Sequence, residues 1–76
     1  MSDVDPRHTV AANLRAEMAR SNVGPSELAD RVGVSRNTVQ RWRSGRYAMN
    51  TNDLQTVAAV LGCKVADLVE TRAVLA

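Results

Sequence analysis

Gly33-Val34-Ser35-Arg36-Asn37-Thr38-Val39-Gln40-Arg41-Trp42-Arg43-Ser44 is polar, charged or glycine at every position except Val34, Val39 and Trp42. Val39 and Trp42 lie three residues apart and so share one face of a helix, which leaves Arg36, Asn37, Gln40 and Arg41 for the outward faces. Ser35 is a strong N-cap for that helix, and Ser44-Gly45 supplies its stop. Just upstream, Glu27-Leu28-Ala29-Asp30-Arg31-Val32 sets Leu28, Ala29 and Val32 on a common apolar side, and Gly33 closes this shorter helix in a left-handed conformation. The reading is helix, glycine turn, helix, with the second helix built to be read from outside. Arginine pairs bidentately with guanine edges, and asparagine or glutamine with adenine edges, in the DNA major groove. The outward residues therefore have the chemistry of base recognition.

Toward the N-terminus, Thr9 is expected to cap a first helix that runs to about Ser21 and buries Val10, Leu14 and Met18 at intervals of four. Residues 1–8 hold two aspartates and Pro6 without periodicity and read as a flexible leader. His8 lies in that leader, with no cysteine or second histidine nearby to make it a ligand. The second helix begins at Gly24-Pro25-Ser26-Glu27, where proline loses no hydrogen bond and Glu27 favours the positive helix end. The third runs from about Arg36 to Arg43, and Arg46 to Asn50 is a loop. Asn50 or Thr51 caps a fourth helix carrying Leu54, Val57, Ala58 and Leu61 up to Gly62. A short fifth helix, from Val65 to about Arg72, is expected to bury Val65, Leu68 and Val69. No stretch alternates with period two, so the expected fold is all-α: a compact five-helix domain over 9–72. Residues 73–76 form an apolar tail, the one segment able to pair as an edge strand.

The core is expected at Leu14, Met18, Leu28, Val32, Val39, Trp42, Leu54, Val57, Leu61 and Leu68. Aromatic side chains stack on bases mainly in single strands and RNA loops, whereas an i, i+3 apolar pair marks a buried stripe. With no phenylalanine in the chain, Trp42 is the core's largest anchor. Cys63 is the only cysteine; it excludes an internal disulfide or a multi-cysteine metal site and reads as a small buried hydrophobe.

The net charge of +2 over 76 residues is diagnostic only through its distribution. Arg31, Arg36, Arg41, Arg43 and Arg46 fall between Arg31 and Asn52 with no acidic residue among them, while acids outnumber bases in the remainder. A chain polarised in this way presents one positive face to a polyanion. Its length holds one small domain, leaving little room for a catalytic cleft beside the core. Ser35, Cys63 and His8 show no spacing of a nucleophile and its base, so no enzyme and no cofactor is expected. There is no apolar run of membrane-spanning length and no secretion signal, so a cytoplasmic location is expected.

Over roughly Leu14 to Val69 the chain resembles the Cro and lambda-repressor-like helix-turn-helix family of bacterial and phage regulators, also called the xenobiotic-response-element family. The landmarks are Ser26-Glu27-Leu28-Ala29, Val32-Gly33-Val34-Ser35, Val39, Trp42, Ser44-Gly45, Leu54, Val57-Ala58, Leu61-Gly62 and Ala66-Asp67-Leu68, in the family's order and spacing. The resemblance implies a lambda-repressor-like fold with the helix-turn-helix at the second and third helices. It implies that Arg36, Asn37, Gln40 and Arg41 read bases, while Ser35, Thr38, Arg43, Ser44 and Arg46 face phosphates. Thr38 is equally suited to a thymine methyl. Arg15 and Arg31 have a rival assignment, pairing with an acid on their own helix, as Glu27 stands four before Arg31.

Three departures from the family pattern stand out. Pro25 replaces a glutamine that commonly touches phosphate. Met18 and Arg43 occupy the positions of a common arginine to glutamate pair, so an apolar contact is expected in its place, with Arg43 released for phosphate. The loop after Arg46 lacks the further basic residues of some relatives, which implies modest affinity for a single half-site. The resemblance thus implies a sequence-specific double-stranded-DNA-binding regulator, of Cro-like or repressor type and phage-borne origin, with no separate ligand-sensing domain. The alternatives are an antitoxin or plasmid-maintenance regulator of the same fold, and a protein-interaction module that does not bind DNA. A weak homodimer through the C-terminal tail, or a dimer formed only on DNA, is expected beside the alternative of a monomer.

Overall fold

The structure is a computed structural model describing residues 6–71. Five helices follow one another: α1 (Pro6–Ser21), α2 (Pro25–Val32), α3 (Arg36–Ser44), α4 (Thr51–Leu61) and α5 (Val65–Val69). No strand occurs among the described residues. The 73–76 tail, with the edge strand and dimer surface expected there, lies outside them.

Local chemistry sets the helix ends. Gly33, Gly45 and Gly62 all take positive φ, the left-handed conformation that closes a helix and in which a Cβ is strained. Asn22 does the same for α1 at φ 58, and Val23 N–H reaches back to Met18 O at 2.9 Å. Of the two expected caps for α4 the chain uses Asn50, whose side chain accepts from Asp53 N–H at 2.7 Å while Asp53 accepts from Asn50 N–H in return. This reciprocal box satisfies two donors that the helix start leaves free.

α1 is the central element, packed on α3 along one side and on α5 along another, while α2 packs on α3 and α4. Leu14, Leu28, Val39, Val57 and Leu68 are sealed from solvent where these helices meet, and Met18, Trp42 and Leu61 complete the expected buried set. Val32 and Leu54, expected in the core, are half-buried at its rim, as are Val10, Val65 and Cys63. Ala11, Val23, Ala29, Met49 and Ala58 join the core.

Three expectations are corrected. First, α1 begins at Pro6 rather than after a Thr9 cap, so residues 6–8 are helix and not leader. The reason is tertiary: the first turn rests on the end of α3, where a Cβ at buried Gly45 would meet His8 Cδ2 at 2.8 Å. Second, the fifth helix stops at Val69 instead of continuing toward Arg72. Asn13 on α1, only 5% exposed, donates from Nδ2 to Leu68 O at 2.9 Å and to Glu70 O at 2.8 Å. One amide thereby takes carbonyls that further helix would have used. Third, Val69 is 41% exposed rather than buried, because so short a helix turns only the side bearing Leu68 toward α1 and α4.

Glu17 is buried beside Asn13 and forms a 2.6 Å ion pair with Arg20. The Glu17 carboxylate, by hydrogen bond and by charge, holds the Arg20 guanidinium above its ordinary pKa. Arg20 Nη2 also donates to Leu61 O at 2.9 Å, tying α1 to the last turn of α4.

Candidate nucleic-acid interface

α3 is short and sharply delimited. Ser35 Oγ accepts from Thr38 N–H at 3.1 Å and lies 3.0 Å from Thr38 Oγ1, so the two hydroxyls of the first turn are joined. At the other end Gly45 N–H turns back to Arg41 O and Trp42 O, and Arg46 N–H donates to Arg41 O at 3.1 Å. The segment after α3 is clipped onto its last turn. Val39 is fully buried and Trp42 is 4% exposed, which fixes the rotation of the helix.

With that rotation Arg36, Asn37, Gln40 and Arg41 are all exposed, as expected of the proposed base readers. They are not one cluster. Asn37, Gln40 and Arg41 line a single shallow depression together with Ser44 and Arg46, and Arg36 lies outside it. Among the residues expected at phosphates, Ser35, Ser44 and Arg46 are exposed, while Thr38 and Arg43 are half-buried. Ser44 Oγ donates to Arg41 O at 3.1 Å; its one hydroxyl proton is used within the helix, leaving the oxygen as an acceptor.

Arg43 is the most constrained of the set. Its Nη1 donates to Gln40 Oε1 at 3.0 Å, and its Nε is buried without a hydrogen-bond partner. It shares a depression with Met18, so the two positions implied to exchange an ion pair for a looser contact lie side by side. Arg15 Nη1 donates to the Arg43 carbonyl. For Arg31 the structure selects the rival assignment, a 2.8 Å ion pair with Glu27 in which both side chains are about half exposed. Such a pair contributes only about 0.3 to 0.5 kcal/mol.

Two residues of this surface have no signature in the local sequence. Tyr47, 55% exposed, lies under the Arg41 guanidinium at 4.9 Å from ring centroid to Cζ. Cation–π attraction of this kind limits the directions in which Arg41 can project. The i+6 spacing from Arg41 to Tyr47 is no helical neighbour relation, because the chain turns at Gly45 in between. Arg15 is the second, since its hold on the last turn of α3 depends on a helix crossing that no local pattern contains.

Among the described residues no group of three His, Cys, Asp or Glu side chains is placed to hold a metal ion, and no helix is long and apolar enough to cross a membrane. What the surface offers is a row of amide and guanidinium groups on a rigid helix, with no carboxylate between Arg31 and Asn52. Such groups donate to base edges and to phosphate oxygens.

The HTH-type transcriptional regulator PrtR of Pseudomonas aeruginosa is 40% identical over 57 residues, which are 75% of this chain and 22% of PrtR's length. Among solved structures, the clp gene regulator ClgR from Corynebacterium glutamicum has a TM-score of 0.84 at 30% identity, covering 88% of this chain and 71% of that one. The SOS-response transcriptional repressor LexA from Eubacterium rectale also has a TM-score of 0.84, at 25% identity, over 95% of this chain and 77% of its own. A model of the Cro/C1-type helix-turn-helix DNA-binding domain matches residues 13–73. The capped pair α2 and α3, the helix order and this match over most of the chain lead to one conclusion: the chain belongs to the Cro/C1-type helix-turn-helix DNA-binding domain family.

Proposed function

We propose that this chain is a sequence-specific double-stranded-DNA-binding transcriptional regulator of Cro-like or repressor type, acting on DNA in the cytoplasm. The carrying observation is the exposed face of α3, where Asn37, Gln40 and Arg41 open on one depression in an acid-free segment. Kinship with PrtR and LexA, each named as a transcriptional regulator or repressor, supports the reading. In it Arg36, Asn37, Gln40 and Arg41 choose bases, and Ser35, Thr38, Arg43, Ser44 and Arg46 hold the backbone. The two roles differ in a measurable way. Asn37→Ala is expected to weaken binding to a selected site by about 1 to 3 kcal/mol while leaving random duplex nearly unaffected. Arg46→Ala is expected to weaken both alike and to reduce the slope of log K against log salt by roughly 0.9. Titrations of each variant on selected and random duplexes check this pair, and an equal loss on both duplexes for Asn37→Ala would remove it from the reading set.

One recognition helix reads few base pairs, so the same proposal includes pairing of two copies on DNA. Duplexes selected from a random pool are expected to carry two half-sites about one helical turn apart, and sedimentation is expected to find two chains on each. Selection of isolated single sites, each with one chain, would count against the dimer and leave the base-reading assignment standing.

A further inference from the structure

Beside the reading face, at the seam of α1 and α3, lies a second concavity of about 250 Å³ whose polar side chains are Arg15, Asn22 and Arg43. Gly24 and Pro25, at the start of α2, form its far wall. No carboxylate lines it, so two guanidinium groups face one space without a counter-charge there. Arg43 Nε is buried with no hydrogen-bond partner, a state that protein donors rarely keep without an external acceptor. The start of α2 adds to this demand for an acceptor. Gly24 provides no side-chain cap and Pro25 stands at the first helical position, so the positive end of α2 is open toward the same wall.

Arg15 is already ordered for the task. Its Nη1 is held by the Arg43 carbonyl, so further guanidinium N–H groups are presented without the side chain having to find its place. Arg43 faces two ways, with Nε in the concavity and Nη1 on Gln40 Oε1 at 3.0 Å. An anion drawn to the concavity is thus one side chain away from a proposed base reader. We propose that the Arg15 and Arg43 concavity is a clamp for one phosphodiester of the bound duplex, and that Arg15 positions α3 in the groove by fixing Arg43 and through it Gln40. This rests on the DNA-binding reading above, and adds to it a contact residue on α1.

The test uses the whole chain on random-sequence duplex over a series of sodium chloride concentrations. Arg15→Gln is expected to lower the slope of log K against log salt by roughly 0.9, the loss of one phosphate contact. Arg15→Lys, which keeps a cation at the same place, is expected to keep the slope near that of the parent chain. Thermal midpoints of both variants show whether the hold on the Arg43 carbonyl serves folding alone. A folded Arg15→Gln chain with unchanged slope would overturn the clamp, as would an equal slope loss in Arg15→Gln and Arg15→Lys. Failure of the parent chain to bind any duplex at low salt would instead remove the proposed function, and the clamp with it.

Discussion

Trp42→Ala is expected to lower the stability of the domain by about 3 to 5 kcal/mol, the usual cost of removing a large aromatic from a packed core. Trp42 is 4% exposed and belongs to one buried cluster with Leu14, Met18, Val39 and Leu68. No phenylalanine in the chain provides a second anchor of that size. A domain this small has only about 5 kcal/mol to lose. Circular dichroism on heating and urea titration should therefore find a chain largely unfolded at moderate temperature, with DNA binding lost as a consequence. A variant that kept its helicity and its denaturation midpoint, and failed only on DNA, would move Trp42 from the core to the contact surface.

Asn13→Ala is expected to cost about 2 to 4 kcal/mol, far more than an asparagine on a helix surface would. Its Nδ2 serves the carbonyls of Leu68 and Glu70, and alanine would leave buried acceptors with neither protein nor water to satisfy them. The penalty for one such group is about 1 to 3 kcal/mol. The loss should be local first, because α5 is only five residues long and held chiefly by Leu68 and this amide. Hydrogen exchange should register it as rapid opening of 65–69, with α2 and α3 still protected. Uniform loss of protection across all helices would mean instead that α5 and the rest of the domain unfold as one unit.

Asn13 also shows what a local pattern leaves out. The spacing of Leu14 and Met18 identifies one buried stripe on α1, which is what a helix with one neighbour needs. α1 has two, α3 and α5, so Asn13 and Glu17 are buried as well. Nothing in a local pattern says that a polar residue beside the stripe will meet the end of another helix. The same applies to His8. Its place in helix rather than leader follows from the packing of the first turn of α1 against Gly45. The exposure of Val69 likewise depends on where α5 stops.

Interactions within one turn of helix are legible in the sequence alone. Ser35, Asn50 and the glycines at 33, 45 and 62 delimit helices through hydrogen bonds no more than a few residues long. The i, i+3 relation of Val39 and Trp42 sets which side of α3 faces solvent, so the residue pattern suffices to expose Arg36, Asn37, Gln40 and Arg41. How those side chains are grouped and held is a product of tertiary packing. Arg36 stands apart from the depression that Asn37, Gln40 and Arg41 share, Arg41 is steadied by Tyr47, and Arg43 is gripped between Gln40 and the Arg15 seam. The Arg15 and Asn13 contacts join residues 28 to 57 positions apart. Helix propensity and capping are encoded locally, whereas contacts at such separations exist only once the core has brought α1, α3 and α5 together.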